Sequence, residues 1–83
     1  MNKILIKLYV PAVNQTFDVF VPVDLAVREL IKVLVNGVNY MRDGTYISSQ
    51  KETLSFRKAE GLLNPALTLA DYGVQNGAEL VMI

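Results

Sequence analysis

The chain has 83 residues, enough for one small domain, and carries neither cysteine nor histidine. That removes disulfides, thiolate nucleophiles, the commonest general base and the commonest metal ligand. Eight basic and eight acidic residues cancel without forming a run of either sign, so no clustered cations are available for a phosphate backbone and nucleic acid is excluded as a partner.

Ile4 to Val10 alternates, with Ile4, Ile6, Leu8 and Val10 on one side and Leu5, Lys7 and Tyr9 on the other. This is a period-2 strand with β-branched bias. Lys7 also breaks the apolar run that begins at Ile4, so Met1 to Lys3 do not introduce a secretory signal. No stretch is long and apolar enough to span a bilayer, and a soluble, cytoplasmic protein is expected. Pro11 to Gln15 reads as a turn. Thr16 to Val21 alternates again, with Phe17, Val19 and Val21 against Thr16, Asp18 and Phe20. Two such runs around a short loop predict an antiparallel hairpin in which Ile4, Ile6 and Leu8 oppose Val21, Val19 and Phe17. The other face then pairs Leu5 with Phe20, Lys7 with Asp18 and Tyr9 with Thr16.

Pro22 ends the second strand, and the period then changes. Val27, Leu30, Ile31, Leu34 and Val38 recur at helical spacing, with Val35 on the flank. Two starts are open: Asp24 is a good N-cap type, whereas Ala26 is a poor one followed by Glu29 at the capping-box position. Gly37 weakens the last turns. Arg42 to Lys51 is polar, with Asp43-Gly44 and Ser48-Ser49, and reads as a loop. Thr53 to Arg57 is a short strand and Leu62-Leu63 a strand stub. Thr68 to Tyr72 is one helical turn stopped by Gly73. Asn76-Gly77 is a tight turn, and Glu79 to Ile83 is the last strand. A helix must bury its stripe on a sheet. The order hairpin, helix, short strand, short turn, final strand therefore predicts an α+β fold of β-grasp type, a mixed sheet of order 2-1-5-3 on one helix. Residues 1–83 are expected to form a single domain.

The segment Thr68-Leu69-Ala70-Asp71-Tyr72-Gly73-Val74-Gln75 resembles the stretch ahead of the final strand of ubiquitin, and Leu54-Ser55-Phe56 resembles its third strand. The resemblance implies that Tyr72 clamps a nearby loop through its hydroxyl and that Asp71 bonds local backbone. Ser55 stands where ubiquitin has the central isoleucine of its binding patch, so ubiquitin's receptors should not recognise this chain. A narrower resemblance is to the YukD/EsaB family, small ubiquitin-like proteins of Gram-positive type VII (WXG100, Ess-type) secretion systems. It rests on Leu8-Tyr9-Val10-Pro11-Ala12, Phe17-Asp18-Val19-Phe20-Val21-Pro22, Glu29-Leu30-Ile31 and Leu62-Leu63-Asn64-Pro65. Ala26 departs from the capping threonine usual in that group. The resemblance implies a cytoplasmic adaptor or regulator that docks on membrane subunits of the apparatus. Ubiquitin-like domains also occur fused to a membrane subunit of the actinobacterial systems.

The competing class is a modifier or sulfur carrier, which needs a flexible Gly-Gly tail for adenylation. Here Gly37, Gly44, Gly61, Gly73 and Gly77 are all isolated, and Leu80-Val81-Met82-Ile83 belongs to the last strand. Conjugation is therefore not expected. Asp43, Glu52, Glu60, Asp71 and Glu79 stand by turns or strand ends, with no pairing legible. There is no phosphate loop or metal spacing, so no catalytic residue, cofactor or metal is assigned. The remaining candidate is a protein-binding patch of Leu5, Phe20, Val81 and Ile83: the hairpin register turns Leu5 and Phe20 away from the helix, and the resemblance to ubiquitin implies the same for Val81 and Ile83. Either they form one exposed patch, or they are scattered apolar residues, some buried under the Arg42 to Lys51 loop. The partner is a membrane-anchored secretion component or a second copy of the chain.

Overall fold

A computed structural model describes residues 3–83. The strands are β1 (Lys3–Val10), β2 (Gln15–Pro22), β3 (Leu54–Phe56), β4 (Gly61–Leu62) and β5 (Ala78–Met82), and the helix is α1 (Val27–Met41). They build one sheet of order β2-β1-β5-β3-β4, in which β1 and β5 are parallel and the other pairs antiparallel. The expected order holds, and the strand stub adds β4 to the edge beyond β3. One helix packed on a mixed five-stranded sheet, with β1 and β5 parallel at its centre, makes it a ubiquitin-like β-grasp.

The hairpin has the register expected from its two period-2 strands, from Lys3↔Pro22 to Val10↔Gln15. Its loop is a 3-10 turn, Pro11–Val13, closed by Asn14 at φ 48, whose amide donates to the Pro11 carbonyl at 3.0 Å. Proline suits a first turn, and asparagine tolerates left-handed backbone, so the local sequence fits the local geometry.

The helix begins after Ala26, and no side chain caps it. Neither Asp24 nor a capping box does the work. The amides of Val27 and Arg28 instead donate to the Leu67 and Pro65 carbonyls at 2.7 and 3.0 Å. A segment nearly forty residues downstream thus satisfies donors that every helix start leaves open. Ala26 also bridges Thr68. This explains how alanine stands at a cap position: the tertiary contact replaces the side chain. Past Gly37 the helix runs on to Met41, and Asp43-Gly44 closes it. Both residues adopt positive φ, and the Gly44 amide donates to the Asn39 carbonyl at 2.8 Å.

The core lies between α1 and one sheet face. Val27, Leu30, Leu34 and Val38 of the helix are buried against Ile6, Leu8 and Val10 of β1, Phe17 and Val21 of β2, Leu54 and Phe56 of β3, and Leu80 and Met82 of β5. Ile31 and Val35 are half-buried on one flank. Leu63, Leu69 and Val74 complete the core from the connecting loops. Tyr46 is also buried, although the surrounding Arg42 to Lys51 segment reads as a solvated loop.

Two local devices hold the last third in place. The Asn64 amide donates to the Tyr72 hydroxyl at 2.8 Å, the loop clamp implied for that tyrosine. The Thr68 amide donates to Asp71 Oδ2 at 2.9 Å, and the Asp71 amide to Thr68 Oγ1 at 3.1 Å. Asn76-Gly77 then extends the β1–β5 pairing: Asn76 Oδ1 accepts from the Leu5 amide and the Gly77 amide donates to the Leu5 carbonyl, both at 2.7 Å. Gly77 sits at φ 88, where a side chain is strained. Ile83 lies one residue past β5, yet its amide and carbonyl both pair with Thr53.

Leu34→Ala removes a side chain that the helix presses on the sheet and should cost on the order of 2–5 kcal/mol, read as a lower urea midpoint. Val33→Ala, one residue along but half exposed, should cost less than about 1 kcal/mol.

Candidate functional site

Buried residues alternate with more exposed ones along most of β1, β2, β3 and β5, which leaves the sheet face opposite α1 open. Its side chains stand in cross-strand rows fixed by register. One row sets Phe20 of β2 against Leu5 of β1. The next is charged: Asp18 faces Lys7, which faces Glu79. The Lys7 ammonium stands 3.6 Å from Asp18 Oδ1. Both side chains are more than half exposed, so the pair adds little stability. A third row runs Thr16, Tyr9, Val81, Ser55, Leu62 across all five strands. Ile83 follows beyond Val81, opposite Thr53.

The four residues marked in the sequence therefore fall into two groups. Leu5 and Phe20 are direct neighbours, and Phe20 is 71% exposed. Val81 and Ile83 lie on the far side of the charged row, with Val81 half-buried and Ile83 66% exposed. None of the four is covered to the point of full burial by the Arg42 to Lys51 loop. Leu62, equally exposed, and Tyr9 join the Val81 group, and the sequence reading does not include either. Tyr9 was legible, because its outward parity on β1 is plain. Leu62 was not, because the strand that carries it is only two residues long.

A shallow groove of about 710 Å³ adjoins this surface. Ser55, Glu79 and Val81 form its sheet side, Arg57 and Lys58 its basic rim, and the Gln75 to Gly77 turn its far wall. The outer surface thus combines apolar rows with a groove of mixed charge.

The buried Tyr46 belongs to a separate arrangement. Its hydroxyl donates to Glu52 Oε2 at 2.7 Å, and the Ser49 amide donates to the same oxygen at 3.1 Å. Burial, followed by the hydrogen bond to Glu52 and that residue's charge, pushes the Tyr46 phenol up to about 12. Burial alone would raise Glu52 too, but hydrogen bonds from Ser48, Tyr46 and backbone amides outweigh it and hold the carboxyl below its ordinary value. The pair pins the loop onto the core. Nothing in the loop's composition announces it, since one tyrosine among polar residues carries no period. Among the described residues, no group of three potential metal ligands occurs. No helix among them is long and apolar enough to cross a membrane.

The sequence profile of the family described as "WXG100 protein secretion system (Wss), protein YukD" matches residues 5–82. The chain belongs to this family. A comparison with curated protein sequences finds no match. Among solved structures, the fold is similar to the ubiquitin-like domain of the Mycobacterium tuberculosis type VII secretion system protein EccD1, at TM-score 0.77 and 15% identity, covering 100% of this chain and 99% of that one. It is also similar to the EccD5 ubiquitin-like domain from Mycobacterium xenopi, at TM-score 0.81 and 16% identity over 100% and 94% of the two chains. The ubiquitin-like domain of Plasmodium falciparum Dsk2 follows at TM-score 0.73 and 22% identity over 98% and 96%. At these identities the likeness concerns the fold, and the YukD match carries the assignment to secretion.

The Tyr46–Glu52 clasp has a pH signature of its own. A raised phenol contributes stability that is whole below pH 10 and is lost as pH climbs through about 12. A lowered carboxyl contributes stability present above its unfolded value, near 4.5, and lost as pH falls below that. Spectrophotometric titration should show one tyrosine ionising near pH 12. Tyr46→Phe should abolish that transition, Glu52→Gln should bring it to lower pH, and both should weaken the acid dependence of stability.

Proposed function

We propose that this protein is a non-conjugated adaptor or regulator of a type VII secretion system, working in the cytoplasm by docking non-covalently on membrane subunits of the apparatus. The YukD family match over residues 5–82 carries this reading. The fold likeness to a ubiquitin-like domain of EccD1, itself a type VII secretion protein, supports it.

The chemistry of the chain favours binding over catalysis or transfer. It has no histidine or cysteine, and its glycines are never adjacent. The Ile83 backbone is engaged by Thr53 in both directions, so residues 81–83 are held against β3. The docking surface is the outer sheet face, through Leu5, Phe20, Val81 and Ile83, with the Lys7–Asp18 pair setting orientation between its two apolar groups. Burying one such side chain contributes roughly 1.5–3 kcal/mol, so either group alone supports a modest, reversible contact.

Tagged protein, cross-linked in the host and recovered from membranes, should bring a membrane subunit of the apparatus with it. Phe20→Asp and Ile83→Asp change exposed side chains, should leave the thermal midpoint within a few degrees, and should lose both that capture and secretion. Variants that fold, bind and secrete like the parent would place docking elsewhere. Intact-mass measurement after incubation with ATP and host lysate should show no thioester or isopeptide adduct; such an adduct would restore the modifier reading.

A further inference from the structure

The two edges of the sheet differ. On one side β4 is only two residues long, too short to template another strand. On the other, β2 is eight residues long and pairs with β1 from end to end, leaving no bulge. It carries no lysine, its proline is its last residue, and its one charge, Asp18, is matched by Lys7 of the same chain. Among the described residues, no backbone hydrogen bond from a loop or from α1 covers its outer side. Proteins ordinarily blunt a long edge with charge, proline, a bulge or a cover, because open amides and carbonyls recruit strands. Apart from Asp18, whose charge Lys7 of the same chain matches, this edge lacks each of these along its central residues, and it presents Phe20 at 71% exposure.

We propose that β2 pairs antiparallel with β2 of a second copy of this chain, with Phe20 of each copy meeting across a two-fold axis. The strand's own charge and shape select the register. In a symmetric antiparallel pair, core-facing residues must oppose core-facing residues, so the axis passes through one residue. An axis at Asp18 sets two carboxylates face to face, which is destabilising. An axis at Val19 sets Phe20 against Asp18. An axis at Phe20 sets ring against ring, with Asp18 opposite Pro22 at the ends of the ladder, where the missing proline donor costs least. Leu5 lies beside Phe20 within each copy, so the outer face gains a continuous strip of Leu5, Phe20, Phe20 and Leu5. Both helices then lie on one side of a sheet doubled in width. The contact is confined to one strand edge and two aromatic rings, so the dimer forms and dissociates with concentration.

This inference does not rest on the secretion role, and its test uses the purified chain alone. Sedimentation equilibrium between about 10 µM and about 1 mM should show the average mass rising from one monomer toward two. Phe20→Asp, and Phe20→Thr, which keeps strand propensity, should weaken association at least tenfold with unchanged circular dichroism. Ile83→Asp, away from the edge, should associate like the parent. Because the sequence has no cysteine, Phe20→Cys should cross-link to its own copy under mild oxidation, while Asp18→Cys should not. A parent that stays monomeric throughout overturns the proposal. So does a folded Phe20→Asp that associates like the parent, or Asp18→Cys linking as readily as Phe20→Cys. A monomer that accepts a strand from another protein at this edge overturns the choice of a second copy.

Discussion

The parallel contact of β1 with β5 governs this fold. Two parallel neighbours cannot be joined by a tight turn, so the chain between them must leave the sheet, cross its face and return. That crossing is α1, and the buried face it covers is made by alternate residues of the two central strands, Leu8 beside Leu80 among them. Register here is set partly by side-chain chemistry: the Asn76 amide oxygen takes the Leu5 amide where a further strand residue would otherwise stand. The hairpin and the β3–β4 pair extend this central unit outward on its two sides.

The parts of the fold legible in the sequence are those whose signal is local. Both hairpin strands alternate with period two and are joined by a short loop, so their pairing follows residue by residue, including Lys7 against Asp18. The helix stripe follows in the same way from Val27, Leu30, Leu34 and Val38. What was not legible depends on residues far apart in the chain. The start of α1 is completed by carbonyls of Pro65 and Leu67, so Asp24 and Glu29 could not decide it. Tyr46 is buried because Glu52 and the core receive it, not because its neighbours form a pattern.

The candidate surface shows the same division. Leu5 and Phe20 come together because one hairpin holds both. The offset of Val81 from them depends on parallel register, which no alternation encodes, and β5 places Val81 beside Tyr9, beyond the charged row. The outer face consequently presents two apolar areas with a polar divide. A partner that covered both areas at once would have to bring apolar groups at two spaced positions and tolerate charge between them.

The borrowed cap of α1 has a consequence for motion. Helix starts normally fray, and their first amides exchange with solvent through small local openings. Here the Val27 and Arg28 amides are closed by the returning 65–67 segment, which Tyr72 and Asp71 in turn hold. Freeing them means lifting that whole segment away, so the first turn of the helix and the approach to the last strand open as one cooperative unit.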